Sequence, residues 1–79
     1  MADLPGMDIK NKVGQRIKEL RKDLELSQEA LALKAEVDRT YVTDVENGRR
    51  NVSLEILERL IKALEVSFAD FFNAKEFKK

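Results

Sequence analysis

Four small polar residues, Ser27, Asp38, Ser53 and Ser67, each stand directly before a run of helix formers, and they set how the chain is divided. A side-chain oxygen in such a place accepts from the free backbone N–H groups of a helix's first turn, so each marks a helix start. The runs they open are short. Ser27 precedes Gln28 to Lys34, Asp38 precedes Arg39 to about Asn47, Ser53 opens a helix to about Glu65, and Ser67 opens a fifth through Phe71 and Phe72 toward Phe77. Ahead of them, Ile9, Val13, Ile17, Leu20 and Leu24 fall within an arc of about 80° if each residue advances about 100°, which predicts an amphipathic helix over roughly 9 to 23. Asn47-Gly48 stops the third helix, with glycine relieving the left-handed strain just beyond it. Nothing alternates with period two for long enough to make a strand. The reading is an all-α domain of five short helices over residues 9–79, behind a flexible leader over residues 1–8 that carries Pro5 and Gly6.

Composition narrows the function. At 79 residues the chain has room for one domain and one modest core, and it must pack idealised helices or self-associate to be stable. With no Cys and no His, disulfides and the usual zinc sites are out, and no cofactor is expected. No apolar run approaches the ~18 residues of a membrane span, so the cytoplasm is the expected compartment and no membrane partner is expected. No nucleophile–base pair, metal cluster or phosphate loop appears, which makes an enzyme the weakest class. Lys and Arg number 15, as do Asp and Glu. A net charge of zero argues against nucleic acid, whose phosphates want a basic domain, unless the charges are sorted.

They are sorted. The second and third helices, joined by the turn Ala35-Glu36-Val37, have the layout of a helix-turn-helix whose second helix enters the DNA major groove. Ala32 is small where the two helices cross, Val37 is apolar at the turn, and Val42 and Val45 point to the core. Arg39, Thr40, Thr43, Asp44 and Asn47 fill the opposite arc of about 140°. Arg16, Arg21, Arg39, Arg49 and Arg50 gather on the expected DNA side, while the fourth helix and the turns hold much of the acid.

The runs Ser27-Gln28-Glu29-Ala30-Leu31-Ala32, Asp38-Arg39-Thr40-Tyr41-Val42 and Val45-Glu46-Asn47-Gly48 are in the register of the Cro and phage-repressor family, which the chain resembles over about residues 9 to 74. Within it, the chain is most similar to the controller proteins of bacterial restriction-modification systems. The resemblance implies a lambda-repressor-like fold and a sequence-specific transcriptional regulator that binds double-stranded DNA as a homodimer on pseudo-palindromic operators, with no small-molecule effector. It implies base reading by Arg39, Thr40, Thr43 and Asp44, with arginine able to fork onto guanine O6 and N7. It puts Arg21, Gln28, Tyr41, Asn47, Arg49, Arg50 and Asn51 at the DNA backbone. It pairs Arg21 with Glu46 as an ion pair tying the first helix to the third. Tyr41 is read equally as a packing aromatic.

Two positions depart from the family pattern. Glu36 stands where relatives often carry glycine, which puts a non-glycine residue at positive φ at a cost of order 1 kcal/mol. Asp44 aims a carboxylate at phosphates, and gains only by accepting from cytosine N4 or by orienting a neighbour such as Thr40.

The apolar residues of the fourth helix cover about half its circumference, wider than the ~100° one core needs. Ile56, Leu60, Ala63, Phe68, Phe71 and Phe72 are the expected dimer interface, the alternative being a monomer whose fifth helix covers the surplus. The rival function is a protein-interaction module, an antitoxin or adaptor, which neutral charge and Asp44 favour.

Overall fold

The computed structural model describes residues 8–78, where the chain forms α1 (Ile9–Asp23), α2 (Gln28–Ala35), α3 (Arg39–Glu46), α4 (Leu54–Ala63), α5 (Phe68–Phe72) and one 3-10 turn (Lys75–Phe77). No strand occurs among the described residues. The leader expected over 1–8 lies outside the described residues as far as position 7. Asp8 itself is the N-cap of α1, its Oδ1 accepting from the backbone N–H of Asn11 at 3.0 Å and from the Asn11 side-chain amide at 2.9 Å. Those bonds, the backbone one first, hold its carboxyl below the usual carboxylate value. Ser27, Ser53 and Ser67 cap as their positions predict, accepting from the N–H groups of Ala30, Ile56 and Asp70. Asp38 does not: its backbone has N-cap geometry, but its side chain makes no capping hydrogen bond.

The helix ends are built alike. Beyond α1, α2, α3 and α4 stand Glu25, Glu36, Gly48 and Glu65, all with left-handed backbone at φ of 58°, 61°, 72° and 65°. After α1, Leu26 N–H donates to Arg21 O at 3.0 Å; after α2, Val37 N–H donates to Ala32 O at 2.9 Å; after α3, Arg49 N–H donates to Asp44 O at 2.9 Å. Such turns satisfy helix carbonyls that have no partner inside the helix. Three of the four left-handed positions are glutamates, each costing about 1 kcal/mol or more that glycine would avoid. The residues that follow them, Leu26, Val37 and Val66, are apolar and pack against the core, which offsets the strain. The turn after α2 is further held by Arg59 of α4, whose Nε donates to Ala35 O at 3.2 Å and whose Nη2 donates to Glu36 O.

α1 packs on α3, and α2 packs on both α3 and α4, around Ile17, Leu31, Val42, Val45, Leu60, Ile61, Leu64 and Phe71. Gly14 lets α1 and α3 approach: a Cβ there would lie 2.2 Å from the carbonyl oxygen of Val45 and 2.9 Å from that of Glu46. The fifth helix is shorter than the sequence predicts. It stops at Phe72, and the chain reaches Phe77 only through the separate 3-10 turn, which packs on α1. The cause is Arg16, whose Nε donates to Phe71 O at 2.7 Å and whose Nη2 donates to Asp70 O at 2.8 Å. Phe71, Phe72 and Phe77 then fold into one aromatic cluster, with ring centroids 4.9 to 6.1 Å apart.

That packing corrects the expected dimer face. Leu60, Ala63 and Phe71 are buried inside the protomer and Ile56 is half-buried against the same core, so α5 and its neighbours cover the wide apolar face of α4 at these positions. Of the six residues, Phe68 and Phe72 are exposed and Ile56 keeps part of its surface.

Candidate nucleic-acid interface

α3 is held in place from its inner side by a chain of polar groups reaching across three helices. Arg21 of α1 grips Glu46 with both arms of its guanidinium, Nε to Oε2 at 2.6 Å and Nη2 to Oε1 at 3.0 Å, and its Nη1 donates to Leu26 O at 2.8 Å. Gln28 Nε2 donates to the same Glu46 Oε1 at 3.0 Å, and Thr43 Oγ1 donates to Gln28 Oε1 at 2.8 Å. Only 2% of the Glu46 side chain and 11% of the Arg21 side chain reach solvent. A bidentate, desolvated pair of this kind fixes orientation as well as separation. The first turn of α2 and the whole of α3 therefore sit at set angles to α1.

The ion pair anticipated between Arg21 and Glu46 is thus present. Arg21 is nonetheless not the open phosphate contact expected of it, because its guanidinium is buried and already bonded to Glu46 and Leu26. Arg16 leaves the DNA side as well, since it closes the end of α5. Gln28 stands at the start of α2 as expected, with its amide oxygen and one amide hydrogen engaged inside the network.

The outer side of α3 is open. Arg39 and Thr40 are exposed at its first turn, and no hydrogen bond or ion pair ties either side chain to the described residues. Thr43 is half-buried, its hydroxyl turned to Gln28. Asp44 lies beneath two loop arginines, its Oδ1 3.6 Å from Arg49 Nη1 and its Oδ2 3.4 Å from Arg50 Nη2. The Arg50 guanidinium carbon stands 4.4 Å from the centre of the Tyr41 ring, within cation–π range. The ring also packs against the core, so the packing role of Tyr41 is present. Asn47, Arg49, Arg50 and Asn51 follow on the same side, all exposed.

Sequence reasoning missed what three residues do: Gly14 lets α1 approach α3, Arg59 holds the turn between α2 and α3, and Arg16 closes the end of α5 instead of joining this surface. Gly14 had a signal, a lone glycine between the apolar positions Val13 and Ile17 of a helix, the mark of a close backbone approach. Arg16 and Arg59 had none, because an arginine that closes a distant helix end looks like one on a solvated face.

A helix-turn-helix family profile matches residues 17–71 of the chain. Control protein C.MunI of Mycoplasma sp is 43% identical over 67 residues, which span 84% of this chain and 90% of that protein. The restriction-modification controller protein C.AhdI from Aeromonas hydrophila has a similar structure, with a TM-score of 0.77 and 46% identity over 80% of this chain and 96% of that one. The restriction-modification controller protein C.Esp1396I, solved as a tetramer in complex with its natural 35 base-pair operator, gives a TM-score of 0.82 at 40% identity over 89% of this chain and 95% of that one. No described helix is long and apolar enough to cross a membrane.

Proposed function

The chain belongs to the helix-turn-helix family and is related to the restriction-modification control proteins, and from that premise we propose that it is a sequence-specific DNA-binding transcription regulator acting as a homodimer on pseudo-palindromic operators. One observation carries the reading: α3 presents Arg39 and Thr40 unpaired at its outer first turn, while a buried network braces its inner side. A recognition helix needs this combination, since a base contact discriminates only if the side chain arrives at a set position. The solved operator complex of C.Esp1396I supports it by relationship.

α3 enters the major groove by its N-terminal end. Arg39 forks onto a guanine and Thr40 offers a hydroxyl and a methyl to the neighbouring base. Gln28, with its remaining amide hydrogen, and Asn47, Arg49, Arg50 and Asn51 meet the sugar-phosphate backbone, which fixes register without carrying sequence information. Two such units related by a two-fold axis read half-sites about one helical turn apart, ~34 Å. The second copy covers the apolar surface left after folding, where Ile9, Leu54, Phe68 and Phe72 are exposed and where Ile9, Leu54 and Phe72 border a cleft of about 260 Å³ that includes Val13 and Leu57. With coupled dimerisation and DNA binding, protein concentration sets occupancy.

The test begins with sites selected from random DNA. On a selected site, log K is expected to fall with log salt at about 0.9 per neutralised phosphate. Arg39→Ala is expected to cost ~1–3 kcal/mol and to relax discrimination at one base pair. Absent or salt-insensitive DNA binding would overturn the reading in favour of a protein-interaction module. Equal losses for Arg39→Ala on selected and scrambled DNA would remove the base contact alone. A chain that sediments as a monomer at tens of micromolar would refute a tight dimer.

A further inference from the structure

The turn after α3 differs from those after the other helices in what anchors it. After α1, α2 and α4, the residue following the left-handed position is Leu26, Val37 or Val66, each packed on the core. After α3 that residue is Arg49, which is exposed. Its backbone N–H still closes onto Asp44 O at 2.9 Å, but its side chain returns to the Asp44 carboxylate at 3.6 Å instead of to a core. Arg50, the next residue, meets the other carboxylate oxygen at 3.4 Å while lying over the Tyr41 ring. One carboxylate thus gathers both loop arginines against the outer side of α3, and the Tyr41 ring lies against one of them.

We infer that Asp44 is a positioning residue that restrains Arg49 and Arg50 and so lowers affinity for non-specific DNA more than affinity for the operator. The inference rests on the DNA-binding reading above. Non-specific binding draws nearly all its strength from phosphate contacts, and each phosphate contact made by Arg49 or Arg50 must first compete with Asp44. Asp44 adds its own repulsion of phosphate. Operator binding shares the same loss but draws also on Arg39 and Thr40, which Asp44 does not touch, and it gains from arginines already held near their working positions. A carboxylate on the DNA-facing helix, costly as a base reader, is accounted for as a device for discrimination.

The test measures wild type, Asp44→Asn, Arg49→Ala/Arg50→Ala and the combined triple variant on a selected site and on scrambled DNA across a salt series. Asp44→Asn is expected to strengthen binding to scrambled DNA by about three- to fivefold at low salt, the size of effect that release of exposed ion pairs allows. On scrambled DNA the salt slope is expected to steepen by up to about 0.9 for each arginine that gains a phosphate. Binding to the selected site is expected to strengthen less, so the ratio of the two affinities falls. In the background lacking both arginines, Asp44→Asn is expected to lose most of its effect. An equal gain on both DNAs, no gain on either, a loss confined to one base pair of the selected site, or a full effect in the arginine-less background would each overturn the inference. A wild-type chain that binds neither DNA would instead overturn the DNA-binding reading, which separates the two failures.

Discussion

Glu46 and Asp44 stand two residues apart on α3, each paired with arginine, in opposite surroundings. Glu46 points inward, almost wholly out of solvent, and takes both arms of Arg21 at 2.6 and 3.0 Å. Asp44 points outward, and its partners Arg49 and Arg50 are far more exposed, with 67% and 44% of their side chains reaching solvent at 3.6 and 3.4 Å. The same chemistry performs two tasks because burial changes what a charge is worth. A buried pair is poorly screened and its loss leaves a stranded charge, whereas an exposed pair is screened by water and salt and contributes little to folding. The inner cluster therefore sets where α3 is, and the outer one tunes how α3 meets a charged partner.

Breaking the inner cluster is the severest test of this contrast. Arg21→Ala leaves Glu46 buried and uncompensated, with only Gln28 donating to it, and is expected to cost about 3–5 kcal/mol of stability. At roughly 4–8 °C per kcal/mol for a domain of this size, the melting temperature falls by at least about 12 °C. Thermal unfolding followed by circular dichroism reads this directly. A loss under about 1 kcal/mol would place Arg21 among surface pairs and undo the comparison.

Gly14→Ala probes the same placement without touching a charge. Its new methyl group would meet two carbonyl oxygens of α3, one of them belonging to Glu46, so the helices must separate or the backbone must bend. Overpacking of this kind costs about 1–3 kcal/mol, set against the ~1 kcal/mol that alanine gains over glycine inside a helix. A net loss in denaturant titration is expected, with a weakened grip of Arg21 on Glu46 as α3 moves. A more stable variant would show that α1 and α3 are not held by this approach.

A third acidic site lies between the two extremes. The carboxylate of Glu76, in the 3-10 turn, is buried, and neither oxygen has a hydrogen-bond donor, while Glu19 of α1 lies beside it. The contact with Glu76 pushes the Glu19 carboxyl up, and burial acts in the same sense. Burial also works against the charged form of Glu76, but the nearness of a protonatable Glu19, its own backbone N–H and the charges of Arg16 and Lys75 bring it below the usual value. One proton shared between the two makes a hydrogen bond; two ionised carboxylates make none. The support from Glu19 is therefore present below its ordinary carboxylate value and is lost as pH rises through its raised one. Glu19→Gln supplies a permanent donor but gives up the 3.4 Å ion pair with Arg16, and with 41% of the Glu19 side chain in solvent it is expected to stabilise the fold by less than about 1 kcal/mol at neutral pH. That gain should shrink as pH falls and wild-type Glu19 takes up its proton, so melting curves at neutral and acidic pH give the sign. An equal gain at both would mean that the two carboxyls do not share a proton.

The helices were legible in the sequence because their starts are local. Ser27, Ser53 and Ser67 act on backbone groups three residues away, and nothing distant interferes. The left-handed position at Glu36 was legible from the family pattern, while Glu25 and Glu65 were not, since glutamate carries no signal for that backbone and only burial of Leu26 and Val66 makes it tolerable. The fifth helix was read too long because its end depends on Arg16, more than fifty residues earlier in the chain. Arg16 and Arg21 were counted with the DNA side for the same reason: a helical wheel shows which way an arginine points, not what waits there. The expected dimer face failed at Leu60, Ala63 and Phe71 because the arc on α4 was judged against one core, when α5 and the aromatic cluster widen that core. With Arg16 and Arg21 drawn inward, the outer side keeps Arg39, Arg49 and Arg50 against the single carboxylate of Asp44, so these groups leave it a small positive surplus within a chain whose net charge is zero.

The smallest effect completes the contrast. Asp44→Asn removes two long, exposed ion pairs and leaves the turn's backbone hydrogen bonds as they are, so its cost in stability is expected to stay within about 0.5 kcal/mol. Whatever cost it has should vanish near 1 M salt, where the screening length falls to about 3 Å and the pairs are largely silenced in the wild type too. The Arg21→Ala loss should persist under the same salt, because ions do not enter a buried pair. Denaturant titrations of both variants at low and high salt therefore make one experiment of the comparison. A cost for Asp44→Asn that resists salt would mean that the outer carboxylate also holds the fold, and the division of labour between the two sides of α3 would not stand.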